Sequence, residues 1–169
     1  MKKNLDREYS MIVKDIMDNE EFKKMAYIEH HNSNRMDHLI KVSYYSYVIA
    51  KKLKLKYKEV ARAGLLHDFY FGRTVDHDRL KEKVKLYTHN HPKEALENAK
   101  KYFDVNALEE DIIISHMFPI DIKIPKYFES WVVSGVDKVV ATYEFYKKAS
   151  KKLKYAANLG VILLFNVMK

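Results

Sequence analysis

Two aspartates stand where helical spacing gives them apolar neighbours. Asp68 follows Leu65-Leu66-His67 and precedes Phe69-Tyr70-Phe71, and Asp137 lies between Val133 and Val140 on the inner face of its segment. Histidines accompany them. His38 shares a helical face with Val42, Tyr45 and Ile49, His67 lies one turn after Ala63 and Gly64, and His116 closes the turn after Ile112 and Ile113. An unpaired buried carboxylate is so costly that it takes up a proton instead. A divalent cation held jointly by these groups removes the problem for all of them. Neutral imidazoles and carboxylates suit iron, manganese, zinc, cobalt or nickel. The alternative for Asp137 is an internal ion pair. Adjacent helix residues do not face each other, so Lys138 is a poor partner and Lys41 the better one.

Context selects this His-Asp pair, not the dipeptide itself. With 8 His and 11 Asp in 169 residues, chance alone supplies about half an occurrence, so the bare dipeptide carries little weight. A second pair, His77-Asp78, sits in Thr74-Val75-Asp76-His77-Asp78-Arg79, polar on all sides, and reads as a solvated loop.

Helices must position these groups. The pattern predicts helices over residues 5–17, a short one from 21, then 35–53, 58–68, 79–87, 91–102, 107–116, 129–148 and 150–167. Residues 30–34 read as a polar turn and 117–126, with Pro119 and Pro125, as irregular chain. His91-Pro92 reads as an N-cap followed by proline at the first helical position. Residues 51–58 alternate Lys with apolar residues, but no second strand pattern exists to pair with them, so they read as a helix end. The expected architecture is an all-α bundle forming one domain over residues 1–169.

Composition agrees. Hydrophobic residues make up 47% and charged residues 32%, a globular balance that excludes a disordered or fibrous chain, and only 4 Gly and 3 Pro are available for turns. The absence of cysteine excludes disulfide scaffolds, cysteine zinc sites and thiol catalysis, and permits a cytoplasmic location. No signal peptide is evident at Met1-Lys2-Lys3-Asn4-Leu5-Asp6, and the apolar stretch 155–168 is too short to span a membrane. The net charge of +8 suits an anionic partner. Only five of the 31 basic residues are arginine. Arginine is the preferred residue for bidentate base and phosphate contacts, so nucleic acid is not the expected partner.

His38, Leu65-Leu66-His67-Asp68 and Val136-Asp137-Lys138 together resemble the HD-domain superfamily of metal-dependent phosphohydrolases. That family carries a histidine, a His-Asp pair and a distant aspartate on separate helices. The intervals here are 29 and 69 residues, and the resemblance covers roughly residues 31–145. His91, in His89-Asn90-His91-Pro92, and His116, in Ser115-His116-Met117, stand where binuclear members carry ligands of a second metal. Bacterial hydrolases that split diadenosine tetraphosphate symmetrically show a similar order of motifs. The chain departs from wider family habits in having Phe69-Tyr70 after the pair and in lacking the Gly-Tyr-Pro signature of cyclic-di-GMP phosphodiesterases.

The resemblance implies one or two divalent ions. His38, His67, Asp68 and Asp137 would hold the first, and Asp68, His91 and His116 the second, with Asp68 as the shared, catalytic carboxylate. Water activated there would attack phosphorus in a small anionic phosphate-containing substrate such as a nucleotide. Arg35, Lys41 and Arg73 are the candidate phosphate contacts. Other readings are an HD-fold di-iron oxygenase, a non-catalytic nucleotide-binding sensor and a nucleic-acid module. The apolar C-terminal helix offers a surface for a homodimer.

Overall fold

The computed structural model describes residues 6–30, 33–71 and 80–167, with side chains described for 6–28, 35–71 and 91–150. The fold is all-α. Eight helices follow one another among the described residues: α1 (Arg7–Ile12), α2 (Lys14–Asp18), α3 (Glu20–Lys23), α4 (Arg35–Lys52), α5 (Tyr57–Leu66), α6 (Leu80–Tyr102), α7 (Ala107–Ser115) and α8 (Phe128–Val167). A single 3-10 turn, Lys24–Tyr27, follows α3. The expected polar turn is framed by a two-residue antiparallel ribbon, in which Glu29 pairs with Asn34 and His30 with Ser33.

Helices α4 and α5 form the centre, and α7 and α8 pack on them. Leu39, Val42, Val60, Leu65, Leu66, Ile112, Ile113 and Val133 are buried at their contacts, with Tyr9, Ile16, Phe22 and Met25 closing one side. Gly64 allows α5 its close approach to α4. A Cβ at this position would lie 2.7 Å from the Ser43 Cα. A side-chain relay fastens the same crossing, since the Tyr9 hydroxyl donates to Ser43 Oγ at 2.8 Å and Ser43 Oγ donates to the Ala61 carbonyl at 2.6 Å.

The structure redraws several boundaries. The first predicted helix is broken at Val13 into α1 and α2. Residues 79–87 and 91–102 fall within one helix from Leu80, so Pro92 lies inside α6 and not at a helix start. An interior proline removes one backbone hydrogen bond and crowds the preceding turn. Here burial of His91, Ala95 and Ala99 along one side pins the helix on both sides of it. The last two predicted helices are likewise one 40-residue helix. Lys148-Ala149-Ser150 contains no breaker, and the Ser150 hydroxyl folds back onto the Lys147 carbonyl at 3.0 Å.

The helix end expected around residues 51–58 is present. Lys54 adopts a left-handed φ of 57° just past α4, and the Leu55 N–H reaches back to the Ala50 carbonyl at 2.9 Å. Such a reversal satisfies helix carbonyls that otherwise have no donor.

Candidate metal centre

His67 and His116 are placed by the same local device. Each occupies the C-cap of its helix, α5 and α7 respectively, with helical dihedrals. The last carbonyls of a helix lack intrahelical donors. His67 Nδ1 donates to the Gly64 carbonyl at 2.9 Å, and His116 Nδ1 donates to the Ile113 carbonyl at 2.7 Å. Both bonds set the tautomer, leaving Nε2 as the ring atom that faces inward. Helix α7 is itself held by a capping box, in which Asn106 and Glu109 satisfy each other's backbone N–H groups. On α8, the Ser134 hydroxyl and the Lys138 ammonium both donate to the His116 carbonyl, each at 2.8 Å.

Helix α4 supplies His38 and α8 supplies Asp137. His38 Nε2 lies 3.1 Å from Asp137 Oδ1, and His67 Nε2 lies 3.6 Å from the same oxygen. Asp68, immediately after His67, turns toward α6 and α7. Its Oδ1 lies 3.3 Å from Nε2 of His91 and 3.3 Å from Nε2 of His116. The two imidazoles approach each other at 3.1 Å. His38, His67, Asp68, His91 and His116 are all buried.

Donor atoms of His38, His67 and Asp68 lie within 4.8 Å of one another, as do those of Asp68, His91 and His116. Asp68 is common to both groups. Two atoms at this junction, His67 Nε2 and Asp68 Oδ1, are fully buried and make no hydrogen bond. A buried polar atom without a partner carries a desolvation penalty of about 1–3 kcal/mol, more when charged. An imidazole lone pair and a carboxylate oxygen both oriented into one polar spot fit a cation of intermediate hardness.

The electrostatics point the same way. Burial resists ionisation of Asp68, but the surrounding His67, His116 and His91 hold its carboxyl well below the usual range. Asp137 is also held low, against burial, by His38 and His67. Burial opposes a charge on His38, yet Asp137 and Glu144 together raise its pKa to about 9. Two carboxylates are thus held ionised among closely packed imidazoles.

A histidine, a His-Asp pair and a far aspartate thus come together from three separate helices, and the family model for the HD domain matches residues 35–158. The chain belongs to the HD domain family. No solved structure matches it. The HD match extends beyond residue 145 into the second half of α8.

The six residues expected as ligands of this HD centre therefore meet. The three expected phosphate contacts do not form a set. Arg35 opens α4 and is buried, with its guanidinium 4.0 Å above the Tyr70 ring and NH1 donating to the Tyr70 carbonyl, while its Nε has no partner. Lys41 donates to Glu144 Oε1, so its ammonium is directed at a carboxylate behind the site and not at a substrate. Arg73 lies outside the described residues. The apolar face expected around His38 is also corrected, because Tyr45 and Ile49 are exposed. The buried face of α4 runs instead through Leu39, Val42, Ser43, Ser46 and Ala50.

One residue escaped the sequence reading. Glu144 lies two turns after Asp137 on α8, is buried, and accepts from His38 Nδ1 at 3.0 Å through Oε2. The i, i+7 spacing from Asp137 was the available signal. Among the described residues no helix is long and apolar enough to cross a membrane.

Proposed function

We propose that the chain is a metal-dependent phosphohydrolase that cleaves a phosphoester or phosphoanhydride bond in a small, nucleotide-like anionic substrate. The family supports metal-dependent hydrolysis in general. The observation that carries the reading is the pair of orphaned buried atoms, His67 Nε2 and Asp68 Oδ1, at the junction of two ligand groups. His38, His67, Asp68 and Asp137 would hold one divalent ion, and Asp68, His91 and His116 a second.

When bound, such ions supply Lewis-acid activation of water and neutralise charge on a phosphoryl group. The protein's own residues provide the rest. The Nδ1 bonds of His67 and His116 aim each ring and, in its neutral form, leave the lone pair on Nε2, where a cation requires it. Asp68, held ionised by its neighbours, offers a carboxylate to both groups at once. Burial of His38, His67, Asp68, His91 and His116 limits bulk water around them and strengthens each electrostatic contact. Arg35, one ring removed from His91 through Tyr70, is the arginine we assign to the phosphate, since its Nε is unpaired. The net charge of +8 favours the approach of an anion.

The test combines metal analysis with substrate screening. Purified protein loaded with manganese, iron, cobalt, nickel or zinc is assayed against nucleotides, dinucleoside polyphosphates and phosphodiesters, alongside Asp68→Ala. We expect bound metal and turnover in the wild type and loss of both in the variant. Full metal stoichiometry in Asp68→Ala would defeat the ligand assignment. Metal binding without hydrolysis of any member of the panel would defeat the activity.

A further inference from the structure

Glu144 belongs to neither ligand group, yet it is buried and touches His38 on the side away from the site. The two ring nitrogens of His38 face two different carboxylates of one helix. Nε2 lies 3.1 Å from Asp137 Oδ1, and Nδ1 lies 3.0 Å from Glu144 Oε2. Asp137 and Glu144 are seven residues apart on α8, which places them on one face, two turns apart. The second oxygen of Glu144 is taken by Lys41, three residues after His38 on α4. Each of the two helices thus contributes one expected ligand, His38 or Asp137, and one residue, Lys41 or Glu144, of the support behind it.

We infer that Glu144, anchored by Lys41, is a positioning residue for His38, fixing the ring and its Nδ1–H tautomer so that Nε2 is the atom offered to a cation. This inference rests on the metal-binding reading above. His67 and His116 obtain the same orientation from carbonyls at the ends of their own helices. His38 lies in the first turn of α4, where the helix has N–H groups and not carbonyls to spare. The acceptor that faces its Nδ1 comes from another helix, as the Glu144 carboxylate. A carboxylate is the stronger choice, because it also raises the basicity of the ligating nitrogen. Lys41 in turn holds the other carboxylate oxygen of Glu144, which fixes the carboxylate against His38.

The competing explanation is that Lys41 and Glu144 merely tie α4 to α8. The two explanations separate in metal affinity and in the tautomer, neither of which a simple tie would control. The full chain is stripped of metal, and Zn²⁺ and Mn²⁺ dissociation constants are measured by competition with a chromophoric chelator. Wild type, Glu144→Gln, Glu144→Ala and Lys41→Met are compared. Long-range ¹H–¹⁵N spectra of the Zn²⁺-loaded proteins report the protonated nitrogen of His38.

Loss of an outer partner of a metal-binding imidazole weakens binding about 10–100-fold. We expect that loss in Glu144→Ala and a smaller one in Glu144→Gln, which keeps an acceptor of the same shape. Lys41→Met should lie near Glu144→Gln. The Nδ1–H signal of His38 should be sharp in wild type and, in Glu144→Ala, broadened by exchange or replaced by the Nε2–H form as the freed ring turns over. Should Glu144→Ala fail to fold, Glu144→Gln and Lys41→Met carry the comparison. Unchanged affinity and an unchanged His38 tautomer in the folded variants, with only a lowered Tm, would overturn the inference while leaving the metal reading intact. Failure of the wild type itself to bind either ion would overturn both.

Discussion

His67 and His116 end neighbouring helices in the same way and meet edge to face, their ring centroids 4.9 Å apart at 75°. Each ring is tethered three residues back, so neither can turn without giving up a bond to its own helix. The pair therefore divides the site. His67 faces Asp137 and the His38 side, whereas His116 faces Asp68 and His91. His116→Ala should lose one equivalent of bound metal and retain the other, with turnover falling at least about 100-fold, the scale for removing a group that stabilises charge in the reaction. Elemental analysis of manganese-loaded protein and a hydrolysis assay check both parts. Retention of the full metal content would mean that His116 is not a ligand.

Gly64 serves the fold and the site at one position. Its missing side chain lets α5 approach Ser43 closely, and its carbonyl receives the Nδ1–H of His67. The atom that a new Cβ would strike is backbone, which cannot swing aside. Overpacking of this kind costs roughly 1–3 kcal/mol. Gly64→Ala should lower the unfolding free energy by that amount, read from urea denaturation. It should also weaken metal binding, since α5 must shift and carry His67 with it. A variant as stable as wild type would show that the crossing has slack.

Lys54 offers the opposite test, remote from the site. Its φ of 57° is left-handed, a region where a side chain is strained and glycine is not. The surrounding bonds, Lys54 N–H to Lys51 and Leu55 N–H to Ala50, are made by backbone alone. Lys54→Gly should therefore stabilise the protein by about 0.5–1 kcal/mol and leave metal content unchanged. Thermal unfolding reads the first outcome and elemental analysis the second. A fall in Tm would mean that glycine's extra freedom in the unfolded chain outweighs the relieved strain.

The clustered His and Asp residues could be picked out from sequence because several of them break a pattern. Asp68, Asp137 and His38 are polar where helical spacing puts apolar neighbours, and their order along the chain narrows the explanations to one family. His91 does lie with Asp68 and His116, but not at a helix start as expected, since Pro92 lies inside α6. Glu144 was not singled out, and Lys41 was expected at phosphate, because their contact with each other and with His38 joins residues more than 100 positions apart, the His38–Glu144 pair 106. Arg35 was noticed for its charge, but its burial against Tyr70 depends on how the chain after the His-Asp pair folds back, which no periodicity encodes.

The metal-free protein should lose stability on the alkaline side. His38 has a folded-state pKa raised to about 9 from its ordinary 6.5, because burial is outweighed by Asp137 and Glu144. A raised pKa means that the folded state binds the proton more tightly than the unfolded state. The associated stabilisation is complete below about pH 6.5 and disappears as pH rises through about 9. A shift of this size corresponds to about 3 kcal/mol for a buried ring, shared between its two carboxylate partners. Glu144, held to about 2, describes the same pairing from the acidic side, where stability is lost only as pH falls from the ordinary carboxylate range through about 2. Urea midpoints of chelator-treated protein should therefore be flat from about pH 5 to 6.5 and decline toward pH 9.5. Metal-loaded protein should not show the alkaline decline, because a cation on Nε2 replaces the proton whose loss causes it. Equal midpoints at pH 6.5 and 9.5 without metal would show that His38 is neutral in the folded protein and that Asp137 draws its compensation from elsewhere.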